Sequence, residues 1–500
     1  MKEKLRALVR RLLPTGGIVE QTVLSGAWMG AMNFVGRGLQ LVMVVILANL
    51  LDPSDFGLLG IALLVLSGLN KFSKLGLDAA VIQDKENDID HYINTMWLMQ
   101  LSRGALIAGI MIAIAPLVGS VFNEPRAVLV VQVLALSPLL EAARNPAVVY
   151  FQKNMNFHME FLYQMSGSIT RFVVSLAWAI VSPTVWALVA GLLSARFLRI
   201  VFSYLAHDYR PWPEFNIEYA KELINFGKWI TANSILYFLY SEGDDAVVGW
   251  LLTSTALGFY QTAYRLSNAP ATEITQVIAN VMFPAFSTLQ EDIAAMREAY
   301  YRMLQMTMFI ACPMAFGIAA VAEVFILTFI GEEWIAMVVV MQLLAGYGLM
   351  RALGKTMGPL WKAIGRPDYV TKLSALRVAI LAVLVIPMTN RFGIEGTAFL
   401  VSAVYLFPML PIDTYLIIRS IEGSYRRFAE EIVYPLVASI GMFVAVGRVD
   451  QLFPGGAGIL EFVTLVGVGA VVYTALVGVF AFKFEWNIEE NLRSIVDAVI

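Results

Sequence analysis

Fourteen stretches of this chain are apolar over about 20 residues each, the length a helix needs to cross a hydrocarbon layer ~30 Å thick. They fall at approximately 24–51, 56–82, 92–121, 126–151, 158–181, 184–206, 222–252, 256–284, 302–330, 335–362, 369–389, 394–418, 430–448 and 458–482. Hydrocarbon offers no partner to a backbone N–H or C=O, so only helices and closed barrels span it. These runs are about twice as long as a barrel strand, which predicts an all-α, polytopic membrane protein. Composition agrees, with 59% of residues hydrophobic and 15% charged, where soluble domains sit near one half and one quarter. Short linkers with Pro, Gly or Asp separate the runs, as at Asn123-Glu124-Pro125, Ser182-Pro183, Gly365-Arg366-Pro367 and Pro454-Gly455-Gly456.

Positive charge orients this map, because Lys and Arg accumulate on the cytoplasmic side. One set of connections holds Lys2, Lys4, Arg6, Arg10, Arg11, Lys85, Lys153, Arg210, Lys221, Arg297, Arg302, Lys362, Arg366, Lys372, Arg419, Arg426, Arg427, Lys483 and Arg493. The alternate set holds Arg126, Arg391 and Arg448. Both termini are therefore expected in the cytoplasm, with an even number of spans in the plasma membrane. Residues 1–23 read as a basic amphipathic segment on the membrane surface, their bases interleaved with Leu5, Leu8, Val9, Leu12 and Leu13. The run that follows is too long for the apolar core of a cleaved leader. The tail, 483–500, places Ile488, Leu492, Ile495 and Val499 on one helical face, as for a helix lying on the inner leaflet.

The first hairpin is written twice. A shift of 201 carries Leu50-Leu51 onto Leu251-Leu252, Gly57 onto Gly258, Ala62 onto Ala263 and Trp28 onto Trp229. Six spans separate the copies, an even number, so the repeat is parallel about an axis along the membrane normal. Residues 24–206 then form one six-span lobe and 207–418 a second. Spans thirteen and fourteen, within 419–482, lie outside the repeat.

A charge inside a span costs several kcal/mol unless it faces a cavity or a partner. Bases well inside the map are Arg37, Lys71, Lys74, Arg103, Arg144, Arg171, Arg265, Arg351, Lys355 and Arg377. They are spread over both halves, and Arg171 and Arg377 sit at similar depth in counterpart spans. One reading is a hydrated cationic cavity that accepts an anion, with Arg suited to phosphate or pyrophosphate because its planar fork bonds such oxygens two at a time. The other is internal pairing, Lys74 with Asp78 and Glu141 with Arg144. Arg37, Arg103, Arg171 and Arg377 have no acid within a turn and favour the cavity; Lys153, Arg196 and Arg199 are near the inner face, where snorkelling explains them.

Span seven is the most polar, with Asn233, Ser234, Tyr237, Tyr240, Ser241, Glu242, Asp244 and Asp245. Its acids could take up a coupling proton or cation, contact sugar hydroxyls, pair with Arg265, or line a solvated outer vestibule. Prolines at 138, 146, 270, 313, 387, 408 and 411 fall inside spans, where each removes a backbone hydrogen bond and bends or shapes the helix. The single Cys312 and the scattered His91, His158 and His207 exclude a disulfide framework and give no zinc-ligand spacing. Gly348 to Lys355-Thr356 is one residue too long for a phosphate-binding loop and lies within a span. No cofactor is expected, and a formal charge of −3 gives no reason for a nucleic-acid partner.

The turn Leu51-Asp52-Pro53-Ser54-Asp55-Phe56-Gly57-Leu58, the run Gly76-Leu77-Asp78-Ala79-Ala80-Val81-Ile82-Gln83 and Phe151-Gln152-Lys153-Asn154-Met155-Asn156-Phe157 resemble the polysaccharide-exporter, O-antigen flippase-like family. Asp245-x-x-x-Gly249, Gly258-Phe259-Tyr260-x-x-Ala263 and Phe283-Pro284 share the resemblance. That family belongs to the multidrug/oligosaccharidyl-lipid/polysaccharide exporter superfamily. The resemblance implies two six-helix lobes in a V around a central cavity, alternating access, and export of a lipid-linked oligosaccharide. Related lipid II flippases carry a cationic cavity and two additional helices, matching spans thirteen and fourteen. The residues expected to hold the phosphates are Arg37, Lys71, Lys74, Arg103, Arg171 and Arg377, with Arg265, Arg351 and Lys355 completing the cationic set. Asp78, Glu242, Asp244 and Asp245 are the candidates for coupling or sugar contact. A monomer is expected, with membrane lipid and glycan-assembly proteins as partners. A cation-coupled multidrug exporter would favour acids in the cavity, and a glycan polymerase or ligase would carry a large outer loop; neither fits these short connections and numerous bases.

Overall fold

The computed structural model describes residues 18–74, 90–154, 156–453, 458–484 and 486. Most of the surface segments expected at 1–23 and 483–500 (residues 1–17, 485 and 487–500), the linker at 454–456 and Asp78 lie outside these residues. Among the described residues all regular structure is helical. In chain order the helices are α1 (Ile18–Leu50), α2 (Pro53–Phe72), α3 (Asp90–Val121), α4 (Arg126–Leu134), α5 (Leu136–Ala142), α6 (Val149–Lys153), α7 (Phe157–Val181) and α8 (Val185–Ala206). They continue with α9 (Ile217–Leu251), α10 (Ser254–Thr288), α11 (Ile293–Phe329), α12 (Val338–Ala363), α13 (Pro367–Val404), α14 (Leu410–Ser420), α15 (Tyr425–Asp450) and α16 (Ile459–Phe484). Nine of the described segments are long and apolar enough to cross a membrane, and the bent pair Arg126–Ala142 with Pro146–Lys153 makes a tenth. Many large apolar side chains are exposed, up to Phe482 at 94%. That is the surface hydrocarbon requires, and the protein is a multi-pass membrane protein.

Local chemistry sets the helix ends. Pro53 opens α2 with its φ already fixed, directly after Asp52. Asn145 Oδ1 accepts from Ala147 N at 3.0 Å and starts a 3-10 turn, so the fourth expected span is broken by 67° instead of continuous. Asp292 Oδ1 accepts from Ala295 N, capping α11, and Ser424 Oγ accepts from Arg427 N, capping α15. Gly393, at φ 62° and ψ −146°, kinks α13 between the expected eleventh and twelfth spans. Only glycine takes such an angle without strain. The helix breaks again at Phe407 (φ −149°, ψ 122°), next to Pro408.

The chain divides into two compact units. Unit one runs to Ala246 and takes in Thr253–Thr255; unit two takes in Val247–Leu252 and continues from Ala256. The written repeat reappears in the helix boundaries. The first helix of each copy ends at Leu50 and Leu251 and the second begins at Pro53 and Ser254, so both differences (251 − 50 and 254 − 53) equal 201. Ala62 and Ala263 are both 0% exposed.

In unit one α7 and α8 form an antiparallel pair, α1 packs on α7, and α3 packs on α4 and α5. Alternate connections collect at opposite ends. At one end Asp55 neighbours Val185 at the start of α8, and Glu124 accepts from Ser254 Oγ at 2.8 Å. The hydrogen-bonded Arg126 guanidinium holds the Glu124 carboxyl below the usual carboxylate range. At the other end Asn94 and Thr95 bracket the 207–216 linker, with Asn94 Oδ1 accepting from Tyr209 OH and Trp212 N, and Thr95 Oγ1 accepting from Asn216 N. A chain that crosses with every helix produces this sorting.

In unit two α11 is the central helix, packed on α12, α15 and α16. Its core includes Phe286, Tyr300, Leu304, Trp361, Ile417 and Phe428. The last two helices dock through Met306, Val324, Met442, Leu465 and Val477. Two polar ties fix them: Tyr473 OH donates to Phe309 O and Trp486 Nε1 to Glu431 Oε2, each at 2.7 Å.

Close helix contact in unit one depends on bare glycine. A Cβ on Gly191 would lie 2.9 Å from Arg171 O and would also strike Ser175, whereas one on Gly109 would meet nothing within 4 Å. Gly191→Ala is expected to lower stability by about 1–3 kcal/mol. Gly109→Ala is expected to raise it by up to about 1 kcal/mol through the helix propensity of Ala. Thermal unfolding in detergent checks both signs.

Candidate functional site

Two groups of intramembrane charge stand out, each within one unit. In unit one the group forms where α2, α3 and α9 meet. Ser67 Oγ donates to Glu242 Oε1 at 2.8 Å, and Lys71 and Asp244 are the charged neighbours acting on that carboxylate. Lys71 Nζ lies 5.1 Å from the Tyr237 ring centroid. Phe72 and Phe238 meet edge to face at 5.4 Å, and Thr231 Oγ1 donates to Lys74 O. Ser67 stands fourteen residues into α2 and Glu242 nine from the end of α9, about 21 and 14 Å along their axes, and Lys71 is in the last turn of α2.

Arg103 belongs to the same group but has a second employment. Its Nε donates to Ser73 Oγ at 3.0 Å, and its Nη2 donates to Asn70 O at 3.0 Å and Asn70 Oδ1 at 2.9 Å. Those acceptors are the last turn of α2, where carbonyls lack helical partners and the helix dipole favours a cation. Arg103 holds the end of α2 in place.

In unit two the group is guanidinium on aromatic. Arg377 is 4% exposed, its Cζ 3.7 Å from the Tyr405 ring centroid, and its Nη2 donates to Tyr347 OH at 3.4 Å. Asp413 of α14 carries the opposite charge that acts on Arg377. Arg351 Nη1 donates to Tyr264 OH, and its guanidinium lies 5.8 and 5.6 Å from the Tyr264 and Tyr347 rings. Tyr264, Tyr347 and Tyr405 form a run of ring contacts at 5.9 and 5.5 Å.

The other expected residues are distributed along the helices. Arg37 on α1 and Lys74 are exposed; Arg171 on α7, Arg265 on α10 and Lys355 on α12 are half-buried, as are Asp244 and Asp245. Two expectations change, one of pairing and one of snorkelling. Glu141 forms its ion pair with Arg196 of α8 across the helix interface, where Arg144 was expected. Arg196 and Arg199 do not snorkel: Arg196 turns toward Glu141 and Ser137 O, Arg199 toward Gln164 O and Tyr163. Asp413 was missed, although an acid inside a span carries the same cost as the bases that were noted. The three tyrosines had no signal in the sequence, because their grouping comes from separate helices. Among the described residues no cluster of His, Cys, Asp and Glu could hold a metal ion.

Helices with buried cations, and comparison with solved structures, define the class. The fold matches a lipid II flippase (MurJ) in an inward closed conformation with a TM-score of 0.71 at 14% identity, covering 91% of this chain and 99% of that one. It matches an inward-facing multidrug resistance MATE transporter of the MOP superfamily with a TM-score of 0.57 at 13% identity, covering 75% and 94%. The fold is that of the multidrug/oligosaccharidyl-lipid/polysaccharide exporter superfamily. The model of the polysaccharide biosynthesis protein family matches residues 46–339, and the chain belongs to that family. It is similar to the lipopolysaccharide biosynthesis protein WzxC of Escherichia coli, 25% identical over 85% of this chain and 87% of that protein. It is also similar to the succinoglycan biosynthesis transport protein ExoT of Rhizobium meliloti, 23% identical over 88% and 89%.

The Arg377–Tyr405 contact is testable by a double-mutant cycle. Arg377→Gln and Tyr405→Leu are expected to couple by about 0.5–2 kcal/mol in unfolding stability. Additive losses would mean that ring and guanidinium do not interact.

Proposed function

We propose that this protein is a flippase that moves a lipid-linked oligosaccharide, on a polyprenyl phosphate or pyrophosphate carrier, across the plasma membrane by alternating access. The observation that carries the reading is cationic side chains set among hydroxyl and aromatic groups on the helices of a member of the polysaccharide biosynthesis protein family. A glycan on a phosphate head is too polar to cross hydrocarbon alone. These bases offset the charge of the head, hydroxyls and tyrosines meet the sugars, and the prenyl tail stays in lipid.

The supporting arrangement has fourteen spans: six in each lobe, with the lobes at 24–206 and 207–418, followed by two within 419–482. Both termini face the cytoplasm and the chain works as a monomer, beside proteins that assemble the glycan. Within unit one Lys71, and within unit two Arg351, are assigned to phosphate contact, while Arg103 and Arg377 support the helices of their own units. Arg37, Lys74 and Arg171 in the first unit and Arg265 and Lys355 in the second are the remaining cationic candidates. Glu242, with Asp244 and Asp245, is the candidate for coupling or sugar contact. The protein acts as a transporter and carries out no bond chemistry.

Reconstituted into vesicles with a fluorescent lipid-linked glycan, the Lys71→Ala, Arg351→Ala double variant is expected to flip at least tenfold more slowly than wild type. Its unfolding temperature should stay within a few degrees of wild type. Undiminished flipping would remove these residues from the substrate path.

A further inference from the structure

The linker that joins α8 to α9, residues 207–216, is fastened to unit one by its main chain. Asn94 Oδ1 on α3 accepts from Tyr209 OH at 2.8 Å and from Trp212 N at 3.0 Å. Asn94 Nδ2 donates to Glu214 Oε2 at 3.2 Å. Thr95 Oγ1 accepts from Asn216 N at 3.1 Å and donates to Glu214 O at 3.4 Å. Asn145 Nδ2 donates to Tyr209 O at 2.7 Å, and Arg210 folds its guanidinium back onto His207 O and Tyr209 O.

What this fastening leaves outside is large and apolar. Trp212 is 73% exposed, Phe215 54%, and Ile217, which opens α9, 55%. A loop held in water by such a network would more naturally turn its polar side chains outward. The main chain is also prepared for a layer poor in water. Pro211 and Pro213 have no N–H, and those of Tyr209, Trp212, Glu214 and Asn216 are all bonded.

Depth says what covers these side chains. Val121 ends α3 and Val185 starts α8 at the end of unit one opposite the linker. Ala206 stands 21 residues from Val185 (206 − 185) and Asn94 27 from Val121 (121 − 94). The linker therefore begins about 32 Å along one axis and is fastened about 40 Å along the other. A hydrocarbon core is ~30 Å thick and the bilayer with its headgroups about 40–45 Å, which puts the linker in the headgroup layer. An apolar surface leads to it: Phe197, Leu198, Val201 and Leu205 form one exposed stripe on α8, and Leu205, in the last turn, is 81% exposed.

We propose that residues 207–217 are a membrane anchor, with Trp212, Phe215 and Ile217 inserted at the boundary between headgroups and acyl chains. An indole suits that level, its ring meeting the chains and its N–H the headgroup oxygens. Arg210 and Lys221 are set against Asp208, Glu214 and Glu218, so insertion rests on the apolar side chains and needs no anionic lipid. A protein partner would have to displace lipid from the same level. The anchor ties the start of α9 to both α3 and the bilayer, and the inference does not depend on what the protein transports.

The test uses the full chain in phosphatidylcholine nanodiscs, with a nitroxide on Trp212→Cys and, as a reference in water, on Glu291→Cys in the exposed turn after α10. The native Cys312 is 0% exposed, and wild type treated with the label is the blank. Power-saturation EPR compares collisions with oxygen, which partitions into hydrocarbon, and with a neutral nickel chelate, which stays in water. The oxygen-to-nickel ratio at 212 is expected to exceed that at 291 by about threefold or more. Equal ratios would place the linker in water, and shielding from both reagents would place protein over it; either result overturns the anchor. If Trp212→Cys does not fold, Phe215→Cys takes the same reading. If neither folds, phosphatidylcholine brominated near the headgroup end of its chains decides: wild type is expected to be quenched more than Trp212→Phe, and equal quenching contradicts the proposal.

Discussion

A cation deep in a lipid-spanning helix must receive from protein the solvation that water would otherwise give. Each unsolvated one costs on the order of 3 kcal/mol or more, a large part of any domain's net stability. Three arginines in the spans bear the mark of this constraint. Arg103 is spread over the carbonyl end of α2, Arg377 is laid on Tyr405 with Asp413 as counter-charge, and Arg196 is paired with Glu141.

The repeat acts on the scaffold and not on its polar contents. Two copies of one hairpin end and begin at the same offset of 201, with the equivalent alanines buried in both. The charged groups are not copies of each other: Lys71, Arg103 and Glu242 beside Tyr237 in one unit, Arg351, Arg377 and Asp413 among three tyrosines in the other.

Much of the fold was legible because hydrocarbon allows so few solutions. Apolar run length gave the helices, and turn residues such as Asp52-Pro53 gave their ends. Less visible were breaks made by single residues. Asn145 turns its side chain back onto Ala147 N and splits a span that reads as one, and Gly393 kinks α13 by a backbone angle. The candidate site was legible only in part. Bases could be found by their cost in lipid, but their partners come from other helices at long range: Arg196 reaches Glu141 across 55 positions, and Arg377 meets Tyr347 and Tyr405. Spacing along one helix suggested Glu141 with Arg144, and helix packing replaced that pair. Asp413 fell under the rule that found the bases and should have been read with them.

The central claim is that buried positive charge in this polysaccharide biosynthesis family member serves an anionic, glycan-bearing lipid. Mass spectrometry of lipids retained by the protein after mild purification from a glycan-producing host tests it most directly. A polyprenyl phosphate or pyrophosphate carrying sugars, enriched well above its share of the membrane and displaced by high salt, is the predicted result. Bulk phospholipid in membrane proportion, with no isoprenoid glycan retained, would contradict it.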